Sequence, residues 1–129
     1  ANRRLLDPRL WKTYYDRYYE AYLLRAVEVE AIVRTLKQET RPYLLCGDFN
    51  STPHNWAYRY LVRELGLQDA FEVAGKGWGG TYHSRLPFAR IDYVLASPDW
   101  EVVSASVGDV KLSDHRPLLT RLRWAGDDE

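Results

Sequence analysis

The chain has 129 residues, enough for one domain with a real core, and its 46% hydrophobic and 28% charged composition is globular. Eighteen basic and eighteen acidic residues cancel to a formal net charge of zero, so the basic footprint of a protein that holds nucleic acid by non-specific attraction is missing. No apolar run approaches the roughly 20 residues of a membrane-spanning helix, and a single cysteine, Cys46, excludes an internal disulfide.

In chain order, Asp7-Pro8 reads as an N-cap followed by proline at the first helical position. It opens a helix predicted to run to about Gln38. Tyr15, Tyr18, Tyr22, Ala26, Val29, Val33 and Leu36 recur every three or four residues as an apolar stripe. Charged residues such as Arg17, Glu20, Arg25, Glu28 and Arg34 fill the other faces. The aromatic cluster of Trp11, Tyr14, Tyr15, Tyr18, Tyr19 and Tyr22 admits a base-stacking reading, but the helical period alone accounts for it as core and interface packing.

Thr40-Arg41-Pro42 breaks the helix. Tyr43 to Phe49 is then almost wholly apolar, which predicts a strand buried on both faces, with Cys46 as a small core residue rather than a nucleophile. Thr52-Pro53 repeats the cap-and-proline signal for a helix to about Leu65, closed by Gly66. A short extended piece is expected within Leu67 to Val73, followed by a loop of Gly75, Gly77, Gly79 and Gly80 around Trp78. Thr81 to His83, Ile91 to Ala96, Glu101 to Val107 and Leu118 to Trp124 read as further strands. Residues 1–6 and 125–129 are expected to be frayed tails of a single unit. The order predicts an α+β domain of layered α/β/α type with mixed strand directions.

Three short islands carry the chemistry. Gly47-Asp48-Phe49-Asn50 follows a strand, and continued period-2 alternation would turn Asp48 and Asn50 to the same side. Alone, such a motif is more simply a turn, since Asp and Asn stabilise turns through their side chains. Asp92 interrupts the apolar run Ile91 to Leu95, and a carboxylate there needs a partner. A histidine suits it, because the carboxylate fixes the tautomer and stabilises the imidazolium. Ser113-Asp114-His115 supplies that imidazole; in extended backbone the two neighbours diverge, so Asp114 would face a metal and His115 a substrate. Three carboxylates crowd together at neutral pH only if a cation or shared protons offset their repulsion.

These islands in this order, with the helix before them, the Thr52-Pro53 turn, Thr81-Tyr82 and Arg90-Ile91-Asp92-Tyr93, resemble the endonuclease/exonuclease/phosphatase superfamily. The resemblance runs from about Leu24 to Trp124 and is to the C-terminal half of its deoxyribonuclease-I-like fold, a β-sandwich flanked by helices. It implies a metal-dependent phosphoric-ester hydrolase using Mg²⁺ or Mn²⁺. Asp48 would polarise the attacking water or act as base, and Asn50 would position that water and the phosphate. His115 would stand at the scissile phosphate, oriented by Asp92, with Asp114 as the metal-site carboxylate.

The family's first-half motifs are not found upstream of the Tyr-rich helix, and no methionine occurs, even at position 1. The chain therefore reads as an excised piece, inactive alone, whose partners are a phosphate-ester substrate and a missing N-terminal half. Self-association through exposed sheet edge is a further expectation. Two other readings stay open: a non-catalytic interaction module that kept the fold, and a nuclease. For the latter, the basic start at Arg3, Arg4, Arg9 and Lys12 is better explained as solvated surface, so nucleic acid is possible but not favoured.

Overall fold

The computed structural model describes residues 8–126. Helix α1 spans Pro8–Leu36, close to the predicted limits, while its proposed cap Asp7 lies outside the described residues, as do Arg3, Arg4 and the tail residues 1–6 and 127–129. Ala125 is tied down by donating its amide to the carbonyl of Asp99 at 2.9 Å.

The apolar stripe of α1 is only half used. Val29 and Val33 are buried, packing with Ala57, Tyr58 and Leu61 of α2, which spans Trp56–Leu65. Tyr15, Tyr18 and Tyr22 are instead 67%, 68% and 41% exposed, so the core part of the expected core and interface packing is corrected. A helical period shows that one face differs from the other; it does not supply the surface that face packs on.

Strand β1 covers Leu44–Asp48, β2 Gln68–Asp69 and β3 Asp92–Ala96. They form one sheet in the order β1-β3-β2. Strands β4, Trp100–Val107, and β5, Leu118–Trp124, form a second sheet. All three pairings between these strands are antiparallel, against the mixed directions expected. Only isolated bridges form at Gly75 and Tyr82, so Thr81 to His83 is not a strand. The helix after Thr52-Pro53 starts three residues late because Asn55 Oδ1 accepts from both the amide and hydroxyl of Thr52. Its end is as read: Gly66 adopts φ 61°, a left-handed turn that glycine enters at no steric cost. The predicted extended piece is mostly a short helix α3, Ala70–Ala74, capped by Asp69 Oδ1, which accepts from the amides of Phe71 and Glu72.

Alternation along β3 divides the molecule. Tyr93 and Leu95 join Val29, Val33, Tyr58 and Leu61 in one core under α1 and α2. Val94 points the other way, against a second core of Ala70, Phe71 and Ala105. Strand β1, at the sheet edge, has only Leu45 turned to the helices and is otherwise exposed, Cys46 included. The expectations of a strand buried on both faces and of a buried Cys46 are thus corrected: an apolar run makes such a strand only where both faces find a covering layer. Helices and strands run from Pro8 to Trp124. The mixed α/β arrangement therefore fills the described chain, and its description as a C-terminal half alone is also corrected.

Candidate active site

The register of β1 against β3 is the origin of the site. Pairing Leu44 with Ala96 carries the ladder down to Asp48 opposite Asp92, so two carboxylates become cross-strand neighbours. Like charges placed so are destabilising unless something offsets them. The loop that brings the offset is fastened by Thr81, which is fully buried. Its hydroxyl accepts from the amides of Ile91 and Asp92, each at 3.3 Å. Its carbonyl accepts from the amide of Arg116 at 2.7 Å. One residue therefore grips both the Asp92 strand and the His115 loop. The amide of Ser84 adds a bond to the carbonyl of Asp114, and Ser113 Oγ accepts from the His115 amide.

So held, His115 Nδ1 lies 2.7 Å from Asp92 Oδ2, and Nε2 lies 3.7 Å from Asp48 Oδ2. The short contact assigns the Nδ1 proton to the bond with Asp92 and leaves Nε2 facing Asp48. The imidazole pKa is raised, chiefly by the hydrogen bond it makes to the Asp92 carboxylate; desolvation opposes this, and the charges of Asp92, Asp48 and Asp114 add to the rise. The three side chains are partly exposed, 27% for His115, 36% for Asp48 and 22% for Asp92. The ring of Tyr82 sits 5.0 Å from that of His115 and forms one wall.

One ligand atom from each of Asp48, Asp92 and His115 falls within 4.8 Å of the others. Two carboxylate oxygens and one imidazole nitrogen suit a hard or borderline divalent cation, Mg²⁺ through the oxygens or Mn²⁺ through all three. The chemistry of this donor set thus fits the cation that the sequence motifs imply.

Not every anticipated residue joins this trio. Asn50 stands at the rim: its amide N–H donates to Asp48 Oδ1 at 2.8 Å, but its φ of 46° ends the strand alternation that would have set it beside Asp48. The two still line one cavity. Asp114 is exposed, accepts from Ser113 Oγ at 3.2 Å, and lies outside the group of three. Sequence reasoning gave no role to Thr81, Tyr82 or Ser84. A threonine ahead of an aromatic was the only signal, and it does not say which strand the hydroxyl will meet.

Residues 3–115 match the Endonuclease/Exonuclease/phosphatase family. An endonuclease/exonuclease/phosphatase from Bacteroides vulgatus is similar at 29% identity with a TM-score of 0.67, over 78% of this chain and 44% of that one. A functionally unknown conserved protein from Enterococcus faecalis V583 is similar at 25% identity and TM-score 0.69, over 80% and 45%. The mannosyl-6-phosphatase Bt3783 of Bacteroides thetaiotaomicron VPI-5482 shares the fold at 22% identity and TM-score 0.63, over 78% and 44%. No curated protein matches.

The match begins at residue 3, not near Leu24, and includes the whole Tyr-rich helix. This corrects the assignment to a C-terminal half and, with it, the missing N-terminal half as a partner. The chain spans less than half the length of these solved structures. It belongs to the endonuclease/exonuclease/phosphatase family.

Proposed function

We propose that the chain carries the site of a metal-dependent phosphoric-ester hydrolase, of phosphodiesterase or phosphatase type. The observation that carries this reading is the 2.7 Å Asp92–His115 bond, with the other face of the same imidazole turned to Asp48. The Asp92 carboxylate favours the protonated imidazole, and a proton at Nε2 can hydrogen-bond to a phosphoryl oxygen and stabilise charge that develops there. Asp92 is the positioning group for that ring. Asp48 is an acceptor for the proton of an attacking water, and the side-chain amide of Asn50 is a donor to the water or the phosphoryl group.

The carboxylates of Asp48 and Asp92 would hold Mg²⁺ or Mn²⁺ beside the imidazole, and the ion would supply neutralisation of phosphoryl charge when bound. Asp114 adds a nearby carboxylate to the field rather than a member of the trio. The fold shared with a sugar phosphatase is consistent with an ester of a small alcohol, but fold likeness does not choose a substrate.

The test is hydrolysis of bis(p-nitrophenyl) phosphate and p-nitrophenyl phosphate in Mg²⁺ or Mn²⁺. Turnover that stops on chelation and in His115→Ala supports the reading. Turnover unchanged in His115→Ala, or none on either ester, contradicts it.

A further inference from the structure

Three arginines are half-buried among the described residues: Arg25, Arg90 and Arg116. Two are accounted for. Arg90 Nη1 pairs with Asp69 Oδ2 at 2.6 Å, and its guanidinium lies over the rings of Phe71 and Tyr93. Arg116 donates to the carbonyl of Ser84 and pairs with Asp109. Arg25 forms no hydrogen bond, ion pair or ring contact among the described residues. A guanidinium withdrawn from water without a partner is costly, and its planar fork of donors matches an oxyanion.

Its position is informative. Arg25 lines a cavity of about 150 Å³ between α1 and α2 whose other walls include Asp48, Asn50 and Phe49. It also lines a smaller adjoining cleft with Tyr22 and Trp56. The side-chain amide of Asn50, likewise unpartnered, shares the larger cavity. A charged donor and a neutral donor thus stand together immediately beside the Asp48 end of the site. Glu28, an exposed acid on the same cavity, is the one opposing charge besides Asp48.

We propose that Arg25, on the far side of Asn50 from the scissile group, forms a subsite for a second phosphate group on the substrate, so that the preferred class is a phosphate ester bearing two phosphates. This rests on the hydrolase reading above for the first phosphate, and supplies what that reading leaves open, the part of the substrate beyond the scissile bond. The subsite does not depend on turnover, which separates its test from that of catalysis.

The experiment is calorimetric titration of the metal-free chain with glucose 1,6-bisphosphate and, separately, glucose 6-phosphate. The expected result is binding of the bisphosphate about tenfold tighter, the worth of one charged hydrogen-bonding contact. Arg25→Gln, shown folded by an unchanged circular dichroism spectrum, should bring the two affinities to within about twofold. Arg25→Lys, with charge but no planar fork, should keep part of the preference. Should Arg25→Gln fail to fold, Glu28→Gln gives the complementary readout, a bisphosphate preference larger than in the parent chain. Equal affinities in the parent chain, no bisphosphate binding, or a preference unchanged in folded Arg25→Gln would each overturn the subsite. A preference that depends on Arg25 in a chain that hydrolyses neither ester would keep the subsite and remove the catalytic reading.

Discussion

The two ends of the β1-β3 pair make different use of charge. At the far end, a cavity of about 270 Å³ is lined by Lys37, Glu39, Arg41, Glu64 and Asp99, and all of its charges but Asp99, which accepts from the Ser97 hydroxyl, are paired. Lys37 Nζ meets Glu64 at 2.8 Å, and Arg41 grips Glu39 through two 2.8 Å bonds that hold the Glu39 carboxyl down to about 2. At the near end, Asp48, Asp92 and Asp114 surround a single imidazole, and the side chains of Asn50 and Arg25 keep their donors free among the described residues. Matched surface pairs finish a structure; an excess of acid around one base is an arrangement waiting for a cation and an anion.

The difference can be broken most forcefully at His115. If the hydrolase reading holds, His115→Ala should lower kcat/KM by about 10²- to 10⁴-fold, the usual worth of a positioned acid-base group, with an unchanged fold by circular dichroism. Asp92→Asn should cost less, about 10- to 100-fold, because the ring stays but loses its fixed tautomer and its charge partner.

The same variant sharpens the pH dependence. The His115 pKa is raised in the folded chain, so its contribution to stability is complete below the unfolded value of about 6.5. That contribution is lost as pH rises through the folded value. NMR titration of the metal-free chain should show a His115 midpoint above the ordinary histidine value, falling in Asp92→Asn. The loss of stability with rising pH should shrink in parallel in urea melts.

The smallest effect belongs to the far end. Arg41→Ala removes an exposed pair and should leave the urea-melt midpoint close to that of the parent chain, with no change in hydrolysis or Mn²⁺ affinity. A large loss of activity there would erase the distinction between the two ends.

Much of this site was legible in the residues. Asp92 stood out as a charge inside an apolar strand, and the need for a histidine partner followed from elementary electrostatics; the 2.7 Å contact with His115 meets it. What the local pattern lacks is register. That Asp48 lies opposite Asp92 depends on how two segments more than forty residues apart align, and a one-residue slip would have turned one carboxylate to the other face.

Asn50 was misplaced for a local reason, a left-handed residue that ended the alternation. The tyrosines of α1 were misread for a global one. Their spacing is helical, but only Val29 and Val33 on that stripe reach the core formed with α2. Arg25 was read as part of a solvated face, since nothing in a helical period distinguishes an arginine at a cavity from one in open water.

The account rests on Asp48, Asp92 and His115 meeting around one ion, the carboxylates as its ligands and the imidazole beside it. Titrating paramagnetic Mn²⁺ into the chain while following its NMR spectrum tests this directly. Selective broadening of the His115 ring and of the amides around Asp48 and Asp92, abolished by Asp48→Asn, is the predicted result. Broadening centred on the Glu39 to Glu64 end, or a His115 signal untouched by Mn²⁺, would contradict it.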